Sequence, residues 1–545
     1  MSTEAIGKVT ATESKPTTCS SVRFWIQRDA LVRPFDIVKA EHLQSSHSYA
    51  IVQDLQYVTD SAGHLANYVS SDFGDILARP LNERLGTTIA EAEILYNTRE
   101  IEMPLRDGAI VEWADADGIR AALGLDRIKK PIPAGWIETS NGAQVRIDFD
   151  SRYLLGPEGA HLNIAGISGL ATKTSYAIFL LNSVQQRAGN DAAIIIFNVK
   201  GSDLLAIDQP DPQLDEAIRA DWQRCGLDPA PFSNVVYLYP YAKRPRDHYT
   251  LSHNQMDVLD AQYSSGKAWN YYYDVDSCKR KLPLLFSDID DPQSTMESIF
   301  HVLPELEADS WDSFRDQIRE KTKAGQKHGD VAVQSWRKFN RLLSTRTQHD
   351  LFTNFSLTDP ARCQKSIHDA LCQYLKPGQV IVVDIEPLPD YLQCLVFGDV
   401  IQTIYGAKLG DVEDIDPKSL GKVVVFADEL NKYAPKGSEG GRTLTGNLLE
   451  VTERGRSLGV ILFGAEQFRS GVHDRVLGNC STNVYGRTSA VELAKSGDYR
   501  YFPDSYKSSI ARLPQGHLLL QHPVFKTALI RVRFPRPCYY QPKGE

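Results

Sequence analysis

The stretch His161–Ser175, HLNIAGISGLATKTS, constrains the fold of this chain more than any other. Leu162 to Ala165 form a short apolar run, and small residues follow. Lys173-Thr174 then open a segment whose Ala177, Leu180, Leu181 and Val184 recur at helical spacing. Strand, small-residue turn, Lys-Thr and helix is the build of a phosphate-binding loop. Backbone N–H groups and the positive helix end cradle phosphate, the lysine reaches the β/γ oxygens, and the threonine hydroxyl holds Mg2+. On that reading Gly166, Ser168, Gly169, Ala171, Thr172, Lys173, Thr174 and Ser175 surround the phosphates of ATP. The spacing departs from the usual pattern. Gly166 stands seven positions before Lys173 where six is usual, and Thr172 occupies a place usually held by glycine. Taken alone, the stretch also fits an ordinary strand–helix turn carrying a surface lysine.

A second stretch favours the phosphate reading. Lys422–Leu430, KVVVFADEL, is an apolar strand ending in adjacent carboxylates. Such a run is buried on both faces of a parallel sheet, and its last residues emerge at the ligand edge. Asp428 is placed to hold Mg2+ and Glu429 to orient and deprotonate an attacking water. The two stretches are 255 positions apart, so they share a site only if the fold brings them together.

With 545 residues the chain exceeds one core, and two or three domains are expected. No apolar run approaches the roughly 20 residues that span a bilayer. The polar N-terminus lacks the apolar core of a secretion signal, so residues 1–20 read as a disordered tail of a cytoplasmic protein. Eight cysteines without CxxC spacing fit reduced thiols rather than disulfides or a zinc site. A net charge of −9 argues against a generally basic, DNA-coating surface, though not against a locally basic channel.

The fold class expected is α/β, a nucleotide-binding core with an N-terminal β-barrel and an inserted helical bundle. Short strands between turn residues assign a barrel to 21–115, and a short helix over Gly118–Leu125 with the Pro-rich KKPIPAG marks 116–150 as a linker. The core runs over 151–289 and resumes over 376–500. Between the two, 290–375 shift to helical periodicity, and 501–545 hold a closing hairpin and tail. Gln467 follows the strand Gly459–Ala465, where its amide can meet both the water and the γ-phosphate. Arg454 and Arg456 precede that strand, and Arg487 ends another. An arginine so placed serves either a neighbouring subunit's site or merely its own helix end. Lys243, Arg244 and Arg246 in one loop, and Lys436 and Arg442 in another, are the basic residues best placed for a nucleic-acid backbone. A solvated loop is the plain alternative for both.

These features in order resemble the HerA branch of the FtsK–HerA P-loop ATPases over roughly residues 20–535. They are the N-terminal strands, the Lys173-Thr174 loop, the helical insertion, the strand into DELNKYAP, the segment GRSLGVILFGAEQ and the LPQGH hairpin. The resemblance implies a RecA-like P-loop NTPase core assembled into a homo-hexameric ring that moves double-stranded DNA through a central pore using ATP and Mg2+. It also implies a partner nuclease or effector, here docked through the barrel, as in end processing or antiviral defence. It casts Lys173 as the phosphate ligand, Thr174 and Asp428 as metal ligands and Glu429 as the base. Gln467 becomes the sensor, and Arg456, with Arg454 second, the arginine given in trans. The alternative is a nucleotide-binding hexameric scaffold with slow ATPase that activates a partner enzyme.

Overall fold

The computed structural model describes residues 4–61, 63–70, 72–77, 85–167, 172–243, 247–287, 289, 295–323, 331–353, 362–437 and 444–542. Six strands close an N-terminal barrel. They are β1 (Ala5–Val9), β2 (Ser21–Ile26), β3 (Ile37–His42), β4 (Ser46–Thr59), β5 (Gly86–Asn97) and β6 (Ile110–Trp113), in the order β1-β2-β5-β4-β3-β6. Alternate residues point inward, as the two-residue strand period requires. Val22, Phe24 and Ile26 meet Val38 and Ala40 inside, whereas Ile37 and Ile51 leave the barrel to join the main core.

The first strand corrects the expectation of a disordered tail. Ile6 and Val9 are buried, and β1 pairs with both β2 and β6. Gly7 makes this approach feasible, because a Cβ there would lie 1.9 Å from the Trp25 carbonyl oxygen.

Thirteen strands among the described residues form the second sheet. Nine run parallel in the order β13 (Gln364–Ser366), β12 (Ala268–Tyr272), β11 (Val235–Pro240), β14 (Val380–Asp384), β10 (Ala192–Asn198), β15 (Lys422–Ala427), β16 (Val460–Glu466), β9 (Leu162–Ala165) and β17 (Thr482–Tyr485). The antiparallel strands β18 (His517–Gln521), β19 (Ile530–Arg533), β7 (Pro131–Glu138) and β8 (Gln144–Asp150) complete it. The central strands are apolar throughout because both faces are covered. Along β10, Ile194 and Ile196 face one core, while Ala193, Ile195 and Phe197 face the other. The helix Thr172–Ala188 covers the first face through Tyr176, Leu180 and Val184. The helix Asp390–Leu409 covers the second, with Trp311, Phe314, Trp336 and Phe339 of the helices Trp311–Glu320 and Val333–Arg346.

The stretch read as a linker, 116–150, is folded. It holds the helix Ala116–Leu123, capped by Asp115, and the β7–β8 hairpin that extends the sheet. Its prolines imitate those of a connector. β19 meets β7 only at Arg533–Trp136, so Pro131 and Pro133 owe no ladder donor on that side. Gly135, at φ 135°, lies in the β7–β8 bulge, and a Cβ there would come within 2.4 Å of the Arg533 carbonyl oxygen. Gly135→Ala is therefore expected to destabilise the chain by about 2 kcal/mol or more, read as a lower melting temperature. An unchanged melt would mean this stretch is a connector after all.

Candidate functional site

A parallel sheet sends all its strand ends to one edge, and the chemistry of this chain gathers there. β9 ends at Ala165, and Gly166 turns the chain. The Gly166 amide donates to the Glu466 carbonyl at 3.2 Å, and that of Ile167 to the Arg487 carbonyl at 2.8 Å. A Cβ on Gly166 would stand 3.2 Å from the Gly486 Cα, so two backbones nearly touch. Ser168, Gly169 and Ala171 lie outside the described residues, as does the side chain of Thr172. The helix then begins at Thr172, with Lys173, Thr174 and Ser175 half-buried in its first turn.

The acid pair comes from β15, which is separated from β9 by β16 alone. Thr174 Oγ1 donates to Asp428 Oδ2 at 2.9 Å. This bond joins the two stretches across 254 positions. A hydroxyl oxygen and a carboxylate oxygen at that separation are the hard oxygen donors that suit Mg2+. The other Asp428 oxygen accepts from the Glu429 amide at 2.9 Å.

Glu429 itself sits at φ 57°, ψ 46°, in the left-handed region, exposed at the sheet edge. For a residue other than glycine that conformation costs about 1–3 kcal/mol, and such strain concentrates at functional sites. Packing holds the turn in place. Leu430 and Tyr433 are buried, and Tyr433 stacks on Phe397 with centroids 4.0 Å apart. Gly464 on β16 makes room for Leu430, since a Cβ there would fall 2.5 Å from its Cδ2. Anchored at both positions, the segment leaves Glu429 little freedom.

Lys173 faces this cluster. Burial holds its pKa below the ordinary lysine value, opposed by the charges of Asp428, Glu466 and Glu429. Glu466 is a further acid at this edge, not among those expected from the sequence. It is the last residue of β16 and is fully buried, and Asn163 Nδ2 of β9 donates to its Oε2 at 2.8 Å. Its other oxygen has no hydrogen-bond partner among the described residues. Burial pushes its pKa up to about 7, against the pull of Arg469, Asn163 and Lys173. Arg469, itself buried, also bonds Asn163, Asn483 and Asp498. The signal was present in Gly464-Ala-Glu-Gln467, where an acid closes an apolar strand at the same edge as Asp428. Gln467 follows at that edge, half-buried. One strand further, Asn198 donates to Asp384 Oδ1 at 2.9 Å, so the end of β14 supplies an acid beside the amide that ends β10.

Other residues stand apart. Arg454 and Arg456 are exposed in the helix Leu444–Leu458, which leads into the opposite end of β16. Arg456 Nη1 donates to the Glu158 carbonyl at 3.2 Å. The seven residues of β16 put about 20 Å between these arginines and the acid edge, so within one chain they do not reach it. Lys436 pairs with Asp474 at 3.2 Å on the surface, and the Lys243 amide donates to Asp350 Oδ2 at 3.1 Å. Arg244, Arg246 and Arg442 lie outside the described residues.

No protein-family model matches the chain, and no curated protein matches it. Solved structures do. The bacterial conjugative coupling protein TrwBdeltaN70 is 13% identical, with a TM-score of 0.40 over 78% of this chain and 94% of that one. VirB4 of Thermoanaerobacter pseudethanolicus is 11% identical, with a TM-score of 0.42 over 75% and 97%. A segment of EssC from Geobacillus thermodenitrificans (ATPases 2 and 3) is 12% identical, with a TM-score of 0.29 over 75% and 45%.

Proposed function

We propose that this chain is an ATPase that works as a hexameric ring translocase on double-stranded DNA. The observation that carries the ATPase reading is the bond from Thr174 to Asp428, which brings a Lys-Thr helix start and an acid pair to one sheet edge. Lys173 binds the β/γ-phosphates, with Gly166, Ser168, Gly169, Ala171, Thr172 and Ser175 around them. Thr174 and Asp428 would hold Mg2+, which screens phosphate charge when bound. Glu429, already strained into position, takes a proton from the attacking water, and Gln467 orients that water against the terminal phosphate.

The placement of Arg454 and Arg456 is what supports the ring. Its pocket has no arginine of its own from Arg454 or Arg456, which face outward at the far edge of the sheet. Arg456, with Arg454 beside it, serves the pocket of a neighbouring subunit, where transition-state charge needs a cation. Lys243, Arg244, Arg246, Lys436 and Arg442 meet the DNA backbone in the pore. The barrel docks a partner nuclease or effector. Supporting this last assignment, Leu65, Phe73, Ile76 and Leu77 are exposed on the excursion between β4 and β5.

A second reading, a slow ATPase that mainly scaffolds its partner, is favoured by one observation. Glu466 puts a buried carboxyl beside Lys173, so that acid competes with an incoming triphosphate for the lysine. Turnover measured with and without duplex DNA at low salt separates the two, since backbone contacts are strongest there. A translocase is expected to hydrolyse ATP several-fold faster with DNA. Turnover indifferent to DNA would leave the scaffold.

A further inference from the structure

Where the barrel meets the sheet, the connection from β2 to β3 closes over β7, β18 and β19 and leaves a cavity of about 80 Å³. Arg33, Asp36, Glu138, His517, Arg531 and Arg533 line it. Arg531 and Arg533 are two residues apart on β19, so the strand period points both to the same face. Three guanidiniums thus converge on one small space.

Their counter-charges are already engaged. Glu138 Oε2 accepts from Arg533 Nη1 at 2.9 Å, and the Glu138 carbonyl accepts from Arg33. Asp36 accepts from the Ser140 amide at 2.9 Å, the Ser140 hydroxyl at 2.6 Å and the Arg33 amide at 2.8 Å, while Arg33 Nε stays 3.7 Å away. His517 Nε2 accepts from Arg533 Nε at 3.1 Å, so the imidazole there is neutral. Burial and the three arginines hold its pKa low. Arg531 remains. Among the described residues its guanidinium makes no hydrogen bond or ion pair, and burial, then Arg33 and Arg533, disfavour its charge. A guanidinium cannot shed its proton to escape this. A half-buried cation facing two others is relieved only by an anion or by water.

We infer that this cavity is an oxyanion site, which takes inorganic phosphate or the terminal phosphate of a monoester between Arg531, Arg33 and Arg533. The donor set decides the class of ligand: guanidiniums ask for an oxyanion, and the space between them admits a tetrahedral one. Guanidinium forks match the oxygen spacing of phosphate and give charge-assisted bonds. An anion bound here would tie the barrel to the sheet, and the site does not depend on the nucleotide reading.

The test uses the full chain carrying Lys173→Ala, so that phosphate at the nucleotide edge does not contribute. Inorganic phosphate is titrated against chloride at matched ionic strength, with melting temperature as the readout. The parent is expected to gain stability saturably. Arg531→Gln is expected to melt no lower than the parent in chloride, because repulsion is relieved, and to bind phosphate about tenfold or more weakly. Should Arg531→Gln fail to fold, Arg531→Lys replaces it, and line broadening of the phosphate phosphorus resonance reports binding to the parent directly. Equal stabilisation of parent and variant, or of neither, overturns the site. A second arm measures binding to a short DNA duplex. If Arg531→Gln weakens duplex binding but leaves the phosphate response intact, the residue is a backbone contact and the pocket is not a small-anion site.

Discussion

Lys173→Ala is expected to abolish nucleotide binding while leaving the fold in place. Lys173 is the cation that Asp428, Glu429 and Glu466 all face, and no other lysine or arginine occupies the first turn of its helix. Without it a triphosphate carrying several negative charges would enter an edge lined by three carboxyls. Each charge-assisted bond lost costs about 1.5–3 kcal/mol, and the unopposed carboxylates add repulsion. A loss of about a hundredfold or more in affinity follows. Calorimetric titration with a non-hydrolysable ATP analogue measures it, with circular dichroism as the control for folding. Affinity within a few-fold of the parent would place the phosphates elsewhere.

Glu429→Gln is expected to do the opposite, keeping binding and stopping turnover. Glutamine has the shape of glutamate, and the bond fixing this turn runs from the residue 429 backbone amide to Asp428, so the substitution does not break it. The stacking of Tyr433 on Phe397 is likewise untouched. What disappears is a carboxylate able to accept the proton of water, and loss of a positioned general base typically costs about 10²–10⁴ in rate. Steady-state phosphate release set beside analogue affinity reads the two effects separately. If binding falls as far as in Lys173→Ala, Glu429 serves the ground state and is not the base.

The residues at the sheet edge were legible because their chemistry stands out against apolar strands. Asp428-Glu429 close a run of five apolar residues, and Lys173-Thr174 open a helix after small ones. What could not be read was lateral order. That β16 lies between β9 and β15, so that Glu466 reaches Asn163 and the vicinity of Lys173, is set by packing between segments some 300 positions apart. For the same reason Gln467 drew notice as a polar side chain, and the buried acid before it did not. The hairpin of β7 and β8 was lost to its prolines, which usually mark connectors. They are tolerated here because the neighbouring strand asks for no donor at those positions. The cavity around Arg531 joins Arg33 to Arg533 across 500 positions, and no local pattern announces it.

ATP hydrolysis by this chain requires the lysine-led helix and the acid-ended strand to converge on one triphosphate. A crystal structure of the Glu429→Gln chain grown with ATP and Mg2+ tests this most directly. It should show the γ-phosphate between Lys173 and residues 428–429, with Thr174 and Asp428 on the metal. ATP bound elsewhere, or bound here with its metal on neither Thr174 nor Asp428, would contradict it.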